Sequence, residues 1–397
     1  MRKVAIIDGL RSPITKFGGS LRGMSIVDVS SDIVKALLGR NNIDRIDEVI
    51  IGNVISAGLG QNIARQIALS ASLGEMIPAF TVNKVCGSGL KSLEIAASSI
   101  SLGNSEIILA GGVEDLSNSP YFLPRDVRFD GLKFGDFKIE DSIYRDALVD
   151  TPSGTVMGLT AENLAEIYDI TREMQDQFAY DSHMKAKLAR DSGYFDDEIY
   201  PLSVFDKKTK LKSVISSDEE IRDSLSLEKL KSLRPVFKEG GTITAGNSSS
   251  LDDGACFLIL ASEDFVKKMG VKPLAYVGGF KSVGLNPLHM GFGAYIAIEE
   301  IIKKFNLKPS EIDFIETNEA FSAQVLSVLK ALYKKYNIKD SIINVNGGAI
   351  ALGHPFSVSG ARILLTLARL MSVHDKRNGI VSLCVGGGQG IAGFLYR

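Results

Sequence analysis

Three cysteines are the clearest candidate nucleophiles in this chain, and Cys86 has the most informative surroundings. It lies in the segment NKVCGSGL, after a short apolar run and before a stretch with apolar residues at helical spacing. A thiol at such a strand-to-helix turn lies near a helix N-terminus, where the helix dipole and free backbone N–H groups favour the thiolate. Taken alone, the competing interpretation is a buried and inert cysteine, which is the usual fate of a free thiol.

His354 is a candidate base in the segment ALGHPFSVSGAR. The proline that follows keeps the histidine out of a helix, because the residue before proline avoids the α region. A helix is therefore expected to begin near Ser357 or Ser359, with His354 on the turn before it. This turn matches that of Cys86 in a second, similar part of the chain, which favours a Cys–His pair over a capping or core histidine.

Cys384 and Asn318 complete the set of candidate reactive groups. Cys384 follows the apolar run IVSL and precedes VGGGQG, so its thiol is expected at the end of a strand beside open backbone amides. Asn318 lies in ETNEAF at another strand end, where a polar group can orient water or a substrate carbonyl. For Asn318 alone, a helix N-cap formed by Thr317 or Asn318 is the simpler interpretation.

Dinucleotide binding and metal catalysis have little support in the sequence. The segment from Gly388 to Gly393 fits the pattern GxGxxG, but only four residues follow it. That is too short for the helix whose N-terminus would hold a pyrophosphate. His183, His289 and His374 are not near any cysteine or carboxylate at metal-ligand spacing. We therefore expect no metal ion and no nicotinamide cofactor.

An internal duplication is expected to position the candidate groups. The chain alternates strand and helix patterns, which is typical of an α/β protein. Several elements of its C-terminal part repeat elements of its N-terminal part in the same order, which indicates duplication. The matched segments are 273–284 with 3–13, 311–321 with 45–55, 343–371 with 80–102, and 378–390 with 104–115. We predict two similar α/β halves packed together, with a site between them that collects loops from both.

The length of the chain and a change in its character suggest the domain boundaries. At 397 residues it exceeds the ~250–300 that one hydrophobic core usually holds. The predicted regions are an N-terminal half at 1–117 and 246–270, an inserted loop domain at 118–245, and a C-terminal half at 271–397. The insertion carries an amphipathic helix pattern near 171–191, and its charge-rich segment 207–224 is interpreted as surface-exposed.

The composition excludes several classes of partner. Lys plus Arg is 45 and Asp plus Glu is 47, so there is no global basic field for nucleic acid or anionic lipid. Three cysteines, an odd number, make no paired disulfide framework and indicate a reducing compartment. The apolar run Val4–Ile7 is too short for a signal peptide, and no stretch is expected to reach the ~18 apolar residues of a membrane span. We expect a soluble cytoplasmic protein.

Taken together, these segments resemble the thiolases, the acyl-CoA acetyltransferase family. The resemblance covers essentially the whole chain, and the order and spacing of its motifs are highly specific. The matching stretches are RSPITKFGGSL (11–21), NKVCGSGLKS (83–92), GGVEDLSNSPY (111–121), MGLTAEN (157–163), GTITAGNSSSLDDGA (241–255), NEAF (318–321), NVNGGAIALGHPFSVSGAR (344–362) and CVGGGQG (384–390).

The resemblance implies the five-layered αβαβα thiolase fold, built from two similar halves plus an inserted loop domain that binds coenzyme A. It implies acyl-CoA thioesters as small-molecule substrates, with coenzyme A as substrate or product and no bound cofactor. It also implies a homodimer at least. The loop at 121–142 resembles the loop of tetrameric members, with Phe134 where methionine is usual, and so suggests a homotetramer.

The chemistry implied by the resemblance is a reversible Claisen condensation of two acetyl-CoA molecules through an acetyl-cysteine. Cys86 would be the nucleophile, His354 the base that activates it, and Cys384 the base that takes the α-proton of the second acetyl-CoA. One oxyanion site would be His354 with a water held by Asn318. The other would be the backbone N–H groups of Cys86 and Gly386.

The resemblance also assigns residues to the binding of the substrate. Ser249 falls where the family contacts the pantetheine arm, and Arg222 resembles a residue near the nucleotide. Met157 and Met290 match residues that narrow the acyl pocket, which favours short acyl chains. Phe321, in the NEAF segment, belongs to the same predicted set.

Two departures from the family pattern keep alternatives open. Val156 stands where acetoacetyl-CoA thiolases usually carry histidine, so a degradative 3-ketoacyl-CoA thiolase for longer chains is the main alternative to an acetyl-CoA acetyltransferase. Ser250 stands where glycine is common, which could shift the pantetheine loop. A non-catalytic acyl-CoA-binding protein is a remoter alternative.

Overall fold

The structure, a computed structural model, describes residues 1–205 and 212–397 of the chain. Near-continuous apolar runs form the strands of one main sheet, as expected for strands that are covered on both faces. These strands are β1 (Val4–Arg11), β2 (Glu48–Gly52), β3 (Ala79–Val82), β4 (Ile107–Glu114), β5 (Asp252–Ser262), β6 (Ala275–Gly284), β7 (Phe314–Thr317), β8 (Asn378–Val385) and β9 (Gln389–Tyr396).

The longer helices alternate with these strands or lie in the insertion between β4 and β5. They are α1 (Ile26–Arg40), α2 (Ile63–Ser70), α3 (Ser88–Leu102), α4 (Met157–Ile167), α5 (Arg172–Asp191), α6 (Gly293–Phe305), α7 (Ser322–Tyr336) and α8 (Phe356–Val373). Short helical pieces lie at Val127–Asp130, Tyr144–Leu148, Leu227–Lys231, Glu263–Met269, Pro287–Phe292, Pro309–Glu311, Asp340–Ile342 and Ala349–Leu352. Short strands lie at Thr15–Lys16, Tyr121–Phe122, Glu140–Asp141, Val149–Asp150, Thr155–Val156, Leu202–Phe205 and Lys212–Ile215.

The sheet has the strand order β7-β8-β9-β6-β1-β5-β4-β2-β3. The pairs β2–β3, β2–β4 and β7–β8 are parallel, and the other neighbours are antiparallel. The two halves join where β1 pairs with β6, through Val4–Ile6 and Ala275–Val277. Elements that the sequence matched across the halves therefore occupy corresponding places in the sheet.

The buried apolar side chains divide the molecule into five layers. One core contains side chains of α3 and α8 together with strand residues of both halves, so these two helices lie between the two parts of the sheet. A second core packs α1 and α2 on the outer face of the first half. A third packs α6 and α7 on the outer face of the second half. This is the αβαβα arrangement that the sequence predicts.

Helices α3 and α8 pack closely because each presents a glycine to the other. A methyl group at Gly89 would lie 2.2 Å from the carbonyl oxygen of Ser357, and one at Gly360 would lie 2.6 Å from the backbone nitrogen of Leu90. Contacts that short exclude any side chain at either glycine. This close approach brings the turn before α3 next to the turn before α8, and those turns carry Cys86 and His354.

Helix α8 departs from the expectation that no stretch is apolar enough to span a membrane. Its 18 residues have a mean hydropathy of 1.3, which passes that test by length and composition. However, 83% of the helix is buried inside the fold. Its apolar character follows from its place between the two parts of the sheet. The helix begins at Phe356, directly after Pro355, which is slightly earlier than the start predicted near Ser357 or Ser359.

The interpretation of segment 207–224 as surface-exposed is wrong for part of that segment. Residues 206–211 lie outside the described residues, but Asp218 is buried. Its carboxylate accepts a 2.7 Å hydrogen bond from the fully buried guanidinium of Arg11 on β1, which also contacts Glu198 at 3.2 Å. A buried guanidinium needs such partners, so an acidic residue of the insertion is drawn into the core.

Candidate active site

A cavity of about 500 Å³ lies where loops of both halves meet the insertion. It brings together most of the residues that the sequence singled out. Those in its lining are Cys86, His354, Cys384, Gly386, Ser249, Met157, Met290 and Phe321. Its remaining walls are largely apolar and include Tyr144, Leu148, Val156, Val236, Phe237 and Phe356. The cavity combines two thiols and an imidazole with a predominantly apolar surface.

Cys86 lies on the turn between β3 and α3, directly before the residue that caps α3. Burial raises the pKa of its thiol to about 12, and hydrogen bonds from the amides of Gly386 and Cys86 itself only partly oppose this. The backbone N–H groups at the turn do lower the pKa of the thiol, as the sequence suggests, but burial has the larger effect. The resting thiol is protonated, so its reaction needs a neighbouring base.

His354 is the candidate base, because it lines the same cavity and its imidazole is neutral, although burial also makes that imidazole a weaker base. Its Nδ1 lies 2.6 Å from the hydroxyl oxygen of Ser359, one turn into α8, which leaves Nε2 for the cavity. Its backbone N–H donates to the carboxylate of Asp252 on β5 at 2.7 Å, so the first half holds the loop of the second. Burial, and then the charge of Arg362, lowers the pKa of His354 to about 3. The imidazole is consequently neutral at physiological pH and able to accept a proton.

Cys384 is the penultimate residue of β8 and lines the same cavity as Cys86. Burial raises the pKa of this second thiol, and the neighbouring Cys86 raises it further. A thiol with a raised pKa gives a strongly basic thiolate when it loses its proton. Such a group is suited to removing a proton from carbon.

Asn318 follows β7 and is not among the residues that line the cavity, whereas Ala320, two residues later, is one of them. Its side chain is fully buried. Neither its side-chain oxygen nor its nitrogen has a hydrogen-bond partner among the described residues. Buried amides are nearly always hydrogen-bonded, so this group is suited to holding a water or a substrate oxygen. The side chain does not cap α7, which begins at Ser322 and has no side-chain cap.

Of the residues assigned to substrate binding, some line the cavity and one does not. Ser249 is fixed by hydrogen bonds from its backbone N–H and its hydroxyl to the carbonyl of Ala320, both 3.0 Å, so its loop forms one wall. Phe321 packs edge-on against Phe237 on the same wall. Arg222, by contrast, does not line the cavity, and its nearest carboxylate is Glu220 at 3.9 Å. Its assignment to the nucleotide of coenzyme A stays a prediction.

The structure adds Ser359, Asp252 and Glu114 to the set found from the sequence. Glu114, at the end of β4, accepts hydrogen bonds from the amides of Ile55 and Ser357, both at 3.0 Å. Ser357 lies in the first turn of α8, so a buried carboxylate of the first half anchors the helix that follows His354. In the sequence, these three residues lie in stretches that resemble the family, but the stretches do not show which groups they hydrogen-bond.

Replacing Ser359 with alanine is expected to reduce the rate of cysteine acylation about tenfold, because the imidazole loses the group that orients Nδ1. The reduction should be the same at every pH between about 5 and 8, since burial rather than Ser359 keeps His354 neutral. Stopped-flow measurement of coenzyme A release from acetyl-CoA checks both points. A rate equal to that of the wild type would contradict the role given to Ser359, and Ser372→Ala, near the other end of the same helix, serves as the control.

Comparison with known proteins identifies the family of the chain. The model of the thiolase N-terminal domain matches residues 4–264, and that of the thiolase C-terminal domain matches residues 271–397. The chain belongs to the thiolase family. It is 45% identical over 399 residues to the acetyl-CoA acetyltransferase of Escherichia coli (strain K12), with 100% of both chains covered. It is also 45% identical, over the same extent, to a probable acetyl-CoA acyltransferase of Staphylococcus aureus (strain COL).

Solved structures give the same result for the fold. The crystal structure of the Bacillus anthracis acetyl-CoA acetyltransferase superposes with a TM-score of 0.94 at 38% identity, covering 100% of this chain and 99% of that one. Human mitochondrial 3-ketoacyl-CoA thiolase superposes with the same TM-score at 40% identity and the same coverage. The predicted thiolase fold is confirmed. The protein is an acyltransferase similar to acetyl-CoA acetyltransferases, and the comparisons do not separate the short-chain from the longer-chain activity.

Proposed function

We propose that the protein is an acetyl-CoA C-acetyltransferase, which reversibly joins two acetyl-CoA molecules into acetoacetyl-CoA and coenzyme A. The observation that carries the proposal is the convergence of Cys86, His354 and Cys384 on one apolar cavity that Met157 and Met290 narrow. A non-catalytic acyl-CoA-binding protein would have no use for two thiols and a neutral imidazole at the same point.

In the first half-reaction the proton of the Cys86 thiol passes to His354 as the sulfur attacks the thioester carbonyl. The bond between that carbonyl and the sulfur of coenzyme A breaks, and His354 returns the proton to the leaving thiolate. The developing oxyanion would be held by the amides of Cys86 and Gly386. Cys86 and Gly386 line the same cavity, and their backbone N–H groups lower the pKa of the thiol, which places them beside the reacting sulfur. Preorganised donors of this kind are each typically worth about 3 kcal/mol in the transition state.

In the second half-reaction Cys384 gives its proton to the neutral imidazole of His354, and the resulting thiolate removes a proton from the methyl group of another acetyl-CoA. The enolate carbon then attacks the acetyl group on Cys86, so that a carbon–carbon bond forms and the bond to the Cys86 sulfur breaks. The proton on His354 passes to the Cys86 sulfur, and Cys384 keeps the proton taken from the methyl group, so both thiols are restored. The enolate oxygen would be stabilised by His354 and by a water bound to Asn318, whose buried amide has no protein partner among the described residues.

A degradative thiolase of longer 3-ketoacyl-CoA substrates is the second candidate. It is favoured by the apolar side chains of Leu148 and Val156 in the cavity wall, since Val156 offers no hydrogen bond to the thioester. The similarity to human mitochondrial 3-ketoacyl-CoA thiolase is consistent with either activity. The two candidates differ in how much room the acyl chain has beside Met157 and Met290.

Thiolysis of a series of 3-ketoacyl-CoA esters distinguishes the two candidates. We expect kcat/KM for acetoacetyl-CoA to exceed that for 3-ketooctanoyl-CoA at least about tenfold, because one excess methylene in a filled pocket already costs about tenfold. Met290→Ala should raise the relative value for the longer ester, since Met290 is buried against the cavity. Val236→Ala, at a lining residue that is more than half exposed, is the matched control and should leave the ratio unchanged. A wild-type preference for the longer ester would favour the second candidate.

We further propose that the protein acts in the cytoplasm as a homodimer or homotetramer without a bound cofactor. The support for an oligomer is a group of large apolar side chains that are exposed on the loop around residues 121–144, including Phe129, Leu132 and Phe134. Soluble monomers rarely expose so many together. Light scattering of the purified protein measures the number of subunits.

A further inference from the structure

Val85, directly before the proposed nucleophile, has an unusual backbone conformation. Its φ angle is +48°, in the left-handed region. Nine non-glycine residues in the described part of the chain have positive φ, and the other eight are asparagine, aspartate or serine. Asparagine and aspartate tolerate this region, whereas a β-branched side chain there is a strained outlier. Strained backbone of this kind is concentrated at functional sites, and here it directly precedes the residue whose sulfur is proposed to react.

Several hydrogen bonds hold Val85 in this conformation. Its N–H donates to the side-chain oxygen of Asn83 at 2.9 Å. Its carbonyl oxygen accepts both from the hydroxyl of Ser88 at 2.6 Å and from the amide of Ser88 at 3.0 Å. The same hydroxyl accepts from the amide of Lys84 at 2.8 Å. The turn is therefore fixed on both sides of Val85, and the direction in which it presents Cys86 is fixed with it.

The side chain of Val85 reaches across to the second half of the molecule. A methyl group at Gly386 would lie 3.2 Å from Cγ1 of Val85, so the valine packs on the bare backbone of Gly386. The reverse contact also occurs, since a methyl group at Gly87 would lie 2.9 Å from Cγ2 of Val385. Each half thus places a valine on a glycine of the other, and Cys86 lies between the two contacts. Cys86 and Gly386 line the same cavity at this point.

We propose that Val85 is a positioning residue for acylation, whose left-handed backbone and contact with Gly386 hold the Cys86 sulfur in line with the Gly386 amide. This inference rests on the proposed role of Cys86 as the acylated residue. Without the valine contact, the strand end at Gly386 could move relative to the turn at Cys86. Attack by the sulfur would still be possible, but the oxyanion would form away from its donors. A displacement of about 1 Å can cost about 10²-fold in rate.

The test compares two reactions of the same thiol in Val85→Gly, which accepts positive φ without steric cost but makes no contact with Gly386. Acylation by acetyl-CoA develops an oxyanion, whereas alkylation by iodoacetamide does not. We expect the acylation rate constant to fall at least about tenfold. The acetyl-CoA concentration that gives half-saturation should change little, and the rate of alkylation should stay within about threefold of the wild type. Val85→Thr, which keeps the branched shape, should restore most of the acylation rate.

Equal reduction of acylation and alkylation in Val85→Gly, or acylation within about threefold of the wild type, would overturn the proposal. If Val85→Gly does not fold, the same ratio is measured on Val85→Ala, which removes only the γ-methyl groups, and the same two outcomes decide. Val54→Ala truncates another buried valine of the same small apolar cluster and should leave the ratio unchanged. Failure of the wild type to acylate at Cys86 would instead refute the proposed function.

Discussion

Replacing Cys86 with alanine is expected to reduce thiolysis of acetoacetyl-CoA at least about 10⁴-fold, the scale seen when a covalent nucleophile is removed. We do not expect Cys384 to take its place, because Cys384 lines the same cavity from the end of a strand and not from the turn before a helix. The formation of acetyl-CoA in steady state measures the loss. Intact-mass spectrometry after mixing with acetyl-CoA measures the covalent step separately.

Cys256→Ala is the matched control for this experiment. Cys256 is a free, fully buried cysteine of β5 that belongs to the central apolar core and not to the lining of the cavity. The same change of residue type there should leave both the acetyl adduct and turnover close to those of the wild type. An acetyl group that still appears at the active site of Cys86→Ala would show that another residue is the nucleophile.

Replacing Cys384 with alanine is expected to separate the two half-reactions. The variant should still become acetylated on Cys86, because His354 and the amides of Cys86 and Gly386 remain in place. Carbon–carbon bond formation and cleavage should fall about 10³-fold, since removal of a positioned base typically costs 10²- to 10⁴-fold. The physical reason is that the methyl proton of acetyl-CoA is removed only by a strong base held beside it.

The separation is measured with two assays on the same preparation. Exchange of labelled coenzyme A into acetyl-CoA needs only the first half-reaction, whereas thiolysis of acetoacetyl-CoA needs both. We expect exchange to stay within about threefold of the wild type while thiolysis is lost. Loss of both reactions to the same extent would contradict the separate role given to Cys384, provided that circular dichroism shows a folded protein.

Local patterns in the sequence were sufficient to predict much of the fold and the turns that carry the candidate reactive residues. The duplication followed from repeated motifs, and helical periodicity near 171–191 predicted α5 to within a few residues. The same patterns put Cys86 and His354 on matching turns before α3 and α8. These features are predictable because turn chemistry and apolar periodicity act over a few neighbouring residues. Membership of the thiolase family, inferred from the motifs, is confirmed by the comparisons.

Burial and long-range pairing were not predictable in this way. The sequence suggested that Cys86 has a thiolate-favouring environment, but the apolar layers around it raise the pKa of the thiol. It likewise suggested an exposed segment around Asp218, which is buried against an arginine 207 residues away. The sequence also did not show that Arg222 lies outside the cavity lining, or that the buried amide of Asn318 has no hydrogen-bond partner among the described residues. Each depends on which distant groups surround the residue.

The sequence by itself determined the fold class, the duplication and the choice of the three side chains that are proposed to react, because each is encoded in local motifs and their order. Only the tertiary structure decided that the Cys86 thiol and the His354 imidazole share one buried cavity, and that Val85 packs on Gly386 across the interface of the halves. Both features join segments hundreds of residues apart and bury their groups, so they exist only once the five layers have assembled. The contact of Ser359 with His354 is local, but it depends on the turn that leads into α8.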